Sequence, residues 1–90
     1  MKASEFLFSA MDHMKDRAKT YDSPWGERSM KKTVDLFNAL TGLGLSEEEG
    51  WKFMICLKLT RSEQGEFKAD SYEDGAAYFA LAGESAGRGK

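Results

Sequence analysis

The sequence predicts an all-α domain, a four-helix bundle-like fold completed by homo-oligomerisation. Two observations carry the helical class: apolar residues recur at steps of three and four along most of the chain, and no segment shows the alternation of a half-buried strand. A third sets the number of helices. Turn-forming residues at Tyr21-Asp22-Ser23-Pro24-Trp25-Gly26, at Gly42 and Gly44, and around Gly65 divide the chain into four periodic segments. The oligomer is expected from size: ninety residues make one domain that buries only a modest fraction of its surface, so a second copy would complete the core.

In the first segment Leu7, Met11, Met14, Ala18 and Tyr21 form the stripe of an amphipathic helix. The second repeats the pattern with Met30, Val34, Phe37 and Leu40, and Gly42 or Gly44 supplies its stop. Ser46 followed by Glu49 has the spacing of a capping box, which starts a third helix. That helix is apolar on more than one side, with Trp51, Met54, Ile55 and Leu59 on one stripe and Phe53, Cys56 and Leu57 beside it, and is expected at the centre. Asp70, three residues before Glu73, is expected to cap the fourth helix, whose inner face would be Tyr72, Ala76, Phe79, Ala80 and Ala82. The small residues Gly75, Ala76, Ala77 and Ala80 would permit close helix approach. The domain is expected over residues 1–84, with a Gly- and Ser-rich tail, residues 85–90, that frays.

Composition excludes several function classes. The net charge of −2 arises from 13 basic and 15 acidic residues that are interspersed, which argues against binding duplex nucleic acid or a membrane surface. Cys56, the single cysteine, closes no intrachain disulfide; inside an apolar run it is expected as a small buried hydrophobe, as suits a reducing cytoplasm. No apolar stretch is long enough to span a bilayer, and Glu5 interrupts the apolar core a secretory signal would need, so a cytoplasmic location is expected. There is no Gly-rich phosphate loop, no zinc-ligand spacing and no nucleophilic triad. His13, between Asp12 and Asp16 on a polar helical face, is not expected to be a ligand.

Three constellations remain. Asp70 and Asp74 lie one turn apart and share a helical face, which suits a pair of carboxylates for Mg²⁺, with the Glu47-Glu48-Glu49 run as further donors; equally, Asp70 caps and both acids complement the helix dipole. Lys58 and Arg61 sit on the most apolar helix, where a cation needs a partner. That partner is either a carboxylate, Asp74 or Glu73, or a phosphate, for which Arg offers a planar fork and Lys a point charge. Tyr21 and Trp25, flanked by Arg17 and Arg28, either clamp a base or peptide or form a rigid loop folded on the core.

The motifs Arg17-x-x-x-Tyr21-Asp22, Leu57-Lys58-Leu59-Thr60-Arg61 and Asp70-Ser71-x-x-Asp74-x-x-Ala77-Tyr78, in that order over residues 15–85, resemble those of a family of short all-helical bacteriophage proteins without established activity. That family is distantly similar to the MazG group of all-α nucleoside triphosphate pyrophosphohydrolases. The resemblance implies a site in which acids on paired helices hold Mg²⁺ and a triphosphate is attacked by water. Carried onto this chain, Asp70, Asp74 and Glu48 would hold the metal. Lys58 and Arg61 would contact phosphate; Arg17, Tyr21 and Tyr78 of the motifs, and Trp25 of the adjoining loop, are further candidate ligand-binding residues. The group's Glu-Glu-x-x-Glu and Glu-x-x-Asp motifs are not met: Glu47-Glu48-Glu49 is followed by Gly50-Trp51, and the second motif reads Asp70-x-x-x-Asp74. The functional expectation is therefore a phage-encoded protein that binds a nucleotide or related phosphate ligand, as a pyrophosphohydrolase or as a degenerate relative of one. The alternative is a non-enzymatic phage accessory protein that binds and inhibits a host protein or sequesters a signalling nucleotide, using Trp25, Tyr21 and the adjoining basic residues.

Overall fold

The computed structural model describes residues 1–21, Tyr21 by its backbone alone, and residues 28–88. Four helices account for nearly all of them: α1 (Ala3–Tyr21), α2 (Ser29–Thr41), α3 (Glu47–Ser62) and α4 (Ala69–Gly87), with no strand among the described residues. The turn cluster expected between the first two helices falls on residues 22–27 and lies outside them.

Local chemistry explains the ends. Gly42 closes α2 with φ +77°, a left-handed conformation that costs glycine nothing, and its amide donates to the Asn38 carbonyl at 2.8 Å. The Asn38 side chain then holds the following loop: its amide donates to the Leu45 carbonyl and its oxygen accepts from the Leu45 amide, each at 2.9 Å. At the start of α3 both bonds of the expected capping box form, the Glu49 amide donating to Ser46 Oγ at 3.0 Å and the Ser46 amide to Glu49 Oε1 at 2.9 Å. The expected cap of α4 does not form. Lys68 occupies the cap position without a side-chain bond, and Asp70 lies inside the first turn.

Packing is carried by three pairs, α3 with α4 above all, then α1 with α4 and α2 with α3. The helices therefore stand in the open order α1, α4, α3, α2, and α1 and α2 do not close a ring. Contacts of Glu47 with Ser85 and of Lys58 with Asp74 show that α3 and α4 run antiparallel. The core is small: Met30, Val34, Trp51 and Ala82 are buried, with Leu45, Met54, Tyr78 and Leu81 packed against them. Gly50 is what lets α2 come so near α3. A Cβ there would stand 2.5 Å from Met30 Sδ and 2.7 Å from Val34 Cγ1, so the missing side chain is the space those residues fill.

The open order also corrects several inner faces. A helix touching one neighbour buries a narrow strip, and in α1 that strip is Ala10 with the half-buried Phe6, Met14 and Ala18; Leu7 and Met11 are exposed. On α2 the predicted stripe is half used, since Phe37 and Leu40 are exposed. On α3, Phe53, Leu59 and Cys56 are exposed, so the thiol is not the buried hydrophobe expected. On α4, Tyr72, Phe79 and Ala80 face outward while Ser71 and Glu73 are buried. Helix α4 also runs on to Gly87, because Ser85 and Arg88 are tied to Glu47 on α3.

Candidate functional site

The end of α3 and the start of α4 are joined by a short turn in which Gly65 takes φ +67°, a conformation that favours glycine. That reversal opens a cleft of about 450 Å³ whose walls include Lys58, Arg61, Glu66, Lys68, Asp70 and Ser71. Lys58 is mostly buried and donates to Asp74, Nζ to Oδ2 at 2.9 Å. The expected carboxylate partner of the buried cation is thus present. Arg61 is exposed, and neither its side chain nor that of Lys68 has an ion-pair or hydrogen-bond partner among the described residues. Beside the cleft an apolar pocket of about 190 Å³, lined by Ile55, Leu59, Tyr72 and Ala76, shares Lys58 and Ser71 with it. The exposed Tyr72 ring is stacked on Phe67, with centroids 5.7 Å apart.

The other sequence-predicted residues are scattered. Asp70 lines the cleft; Asp74 is engaged with Lys58; Glu48 pairs with Lys52 at 2.6 Å near the far end of α3. Ten residues of helix separate Glu48 from Lys58, about 15 Å at 1.5 Å per residue. Among the described residues no three His, Cys, Asp or Glu side chains stand together as metal ligands, so the donor set does not fit a resident Mg²⁺ of the kind the resemblance implies. Tyr78 stacks on Trp51 at 5.7 Å in the core rather than lining the cleft, and Arg17 is exposed on α1. Trp25 and the Tyr21 side chain lie outside the described residues.

Sequence reasoning named two acids, Glu47 as a further metal donor and Glu73 as a partner for Lys58, but missed where the fold buries them and what they bind. Glu47, its side chain 10% exposed, accepts through Oε2 from Arg28 Nη1 at 3.4 Å, from Arg88 Nη1 and from Ser85 Oγ at 3.3 Å, while its Oε1 is buried without a partner among the described residues. Glu73 is buried on α4, 3.5 Å from His13 Nε2. The signal for Glu47 was phase: four residues before Trp51, it shares the buried face, whereas Glu48 is four before Lys52 on the wet one.

No helix of the described residues is long and apolar enough to cross a membrane. No curated protein and no solved structure is significantly similar to the chain. A family model does match, over residues 6–86, and so spans all four helices. By that match the chain belongs to the family described as a domain of unknown function, DUF6378.

Proposed function

We propose that this chain binds a nucleotide or a related phosphate-bearing ligand in the cleft between α3 and α4. The observation that supports the reading is the state of the cations: Arg61 and Lys68 line one cleft, and neither has a partner among the described residues. Arg61 offers a planar fork to phosphate oxygens and Lys68 a mobile point charge, beside the positive end of α4. Lys58, committed to Asp74, holds the two helices together and adds to the local field. The adjoining apolar pocket with Tyr72 suits the planar ring of a nucleotide, so both halves of such a ligand have a surface of matching chemistry.

Cleavage is not proposed. Water attack in the MazG manner needs acids converging on one ion, and here Asp74 is bound to Lys58 while Glu48 stands at the far end of α3. Mg²⁺ enters only as an ion carried in by the ligand. In the phage setting that the sequence resemblance implies, the protein would act by holding its ligand in the host cytoplasm. An accessory role through Tyr21 and Trp25 rests on residues outside those described and is set aside.

The test is differential scanning fluorimetry of the wild type and of an Arg61→Ala, Lys68→Ala double variant against nucleoside mono-, di- and triphosphates and cyclic dinucleotides, with and without Mg²⁺. A ligand at a hundred times its Kd stabilises the native state by about 2.7 kcal/mol, a shift of about 10 °C or more in a domain this small. The expected result is such a shift for one ligand class in the wild type and its loss in the double variant. No shift at millimolar ligand, or an equal shift in both proteins, overturns the reading.

A further inference from the structure

Helix α2 touches α3 and no other helix to any extent, and beyond Met30 and Val34 its apolar residues are uncovered. Phe37 and Leu40 form an exposed ridge, Leu40 being 76% exposed, and Phe53 of α3 is 71% exposed across the groove from Phe37. Between α2 and α3 lies an apolar groove of about 250 Å³ floored by Val34, Gly50 and Met54 and flanked by Phe37 and Phe53. Ridge and groove on one face are the two parts that a two-fold symmetric contact requires, since each copy then inserts the ridge and receives one.

We infer that a second copy of this chain covers the α2–α3 face. The area argues for it. A folded protein of 10.1 kDa is expected to expose about 5,300 Å², whereas this chain exposes 6589 Å². The excess, roughly 1,300 Å² over the whole chain, leaves room for the roughly 800 Å² that each partner gives to a stable interface, and the ridge and groove place that contact on the α2–α3 face. The radius of gyration, 14.0 Å against about 12 Å for ninety residues, points the same way. So does the open order of the helices, whose outermost member on this side is α2. The net charge of −2 sets little repulsion between copies.

The experiment is sedimentation velocity on the full chain at about 50 µM, where mass action favours the complex, with circular dichroism on the same samples. The wild type is expected at twice 10.1 kDa. Leu40→Glu and Phe53→Glu are expected to halve that mass with the helical signal kept, and Leu7→Glu, on the exposed face of α1, to leave it unchanged. If a glutamate variant loses its helical signal, Leu40→Ser takes its place, because so exposed a position tolerates serine. A helical wild type at 10.1 kDa overturns the inference, as does dimer mass retained in both the Leu40 and Phe53 variants, or dissociation by Leu7→Glu alone.

Discussion

The two ends of the α3–α4 pair carry similar residues and use them differently. At the Glu47 end two arginines and a serine converge on one carboxylate, one helical turn from Trp51, and Arg28 and Arg88 are both bonded. At the Lys58 end only the lysine is bonded, and Arg61 and Lys68 face a cleft with no partner. A count of charges along the sequence would not separate them. The difference lies in where the acids fall on the helix: Glu47 shares the face of the core, so its end is closed by structure, while Asp70 and Glu66 line a cleft that solvent enters. A cation satisfied within the fold stabilises it, and a cation left over is available to a ligand.

The largest expected effect tests whether the Glu47 end is the structural one. Trp51 is buried and stacked on Tyr78, and among the described residues it is the one buried aromatic of the core cluster. Trp51→Ala is expected to cost about 3–5 kcal/mol, which for a chain of ninety residues is much of its stability. Urea denaturation followed by circular dichroism measures it. A loss below about 1 kcal/mol would mean that the packed end is not where the fold is held.

Next come the two carboxylates. Glu47→Gln strands two partly buried guanidinium groups and is expected to cost about 2–3 kcal/mol; Asp74→Asn strands one lysine and is expected to cost about 1–2 kcal/mol. Both figures lie below those for fully buried pairs, since Arg28 and Arg88 retain side-chain exposures of 27% and 33% and Asp74 19%. Denaturant midpoints of the two variants, compared at equal slope, give the order. The reverse order would show that the Lys58–Asp74 bridge, not the Glu47 cluster, locks the antiparallel pair.

How far this contrast could be read from sequence differs by element. The Ser46–Glu49 box was legible because both its bonds are local, and the need of Lys58 for a partner because it is a cation on an apolar helix, though the sequence does not choose among Asp74, Glu73 and a phosphate for that partner. The inner faces of α1 and α4 were not legible. Periodicity finds a stripe but not which edge of it meets a neighbour, and an open row of helices leaves stripes such as Phe37 and Leu40 uncovered. Asp70 was read as a cap because its type and its spacing from Glu73 suit one, yet the helix begins at Ala69 after Lys68. Of the proposed metal ligands, Glu48 is separated from the others by an antiparallel pairing that places its end of α3 beside the end of α4; the ten helical residues between Glu48 and Lys58 carry that distance once Lys58 is paired with Asp74.

The smallest expected effect is the most informative about function. Arg61 is exposed and its side chain makes no ion pair or hydrogen bond within the described residues, so Arg61→Ala is expected to leave the unfolding free energy within about 0.5 kcal/mol of the wild type. The same holds for Lys68→Ala. A side chain that contributes nothing to the fold, and lines a cleft with a second cation and the carboxylates of Glu66 and Asp70, is available to an anion, which would also relieve any repulsion between the two cations. If either alanine variant instead proves destabilised by more than about 1 kcal/mol, the cation has a structural role, and the contrast between a bonded end and an open end is lost. If both are more stable than the wild type, the repulsion is real, and the cleft holds like charges together at a cost to the empty protein that a bound phosphate would offset.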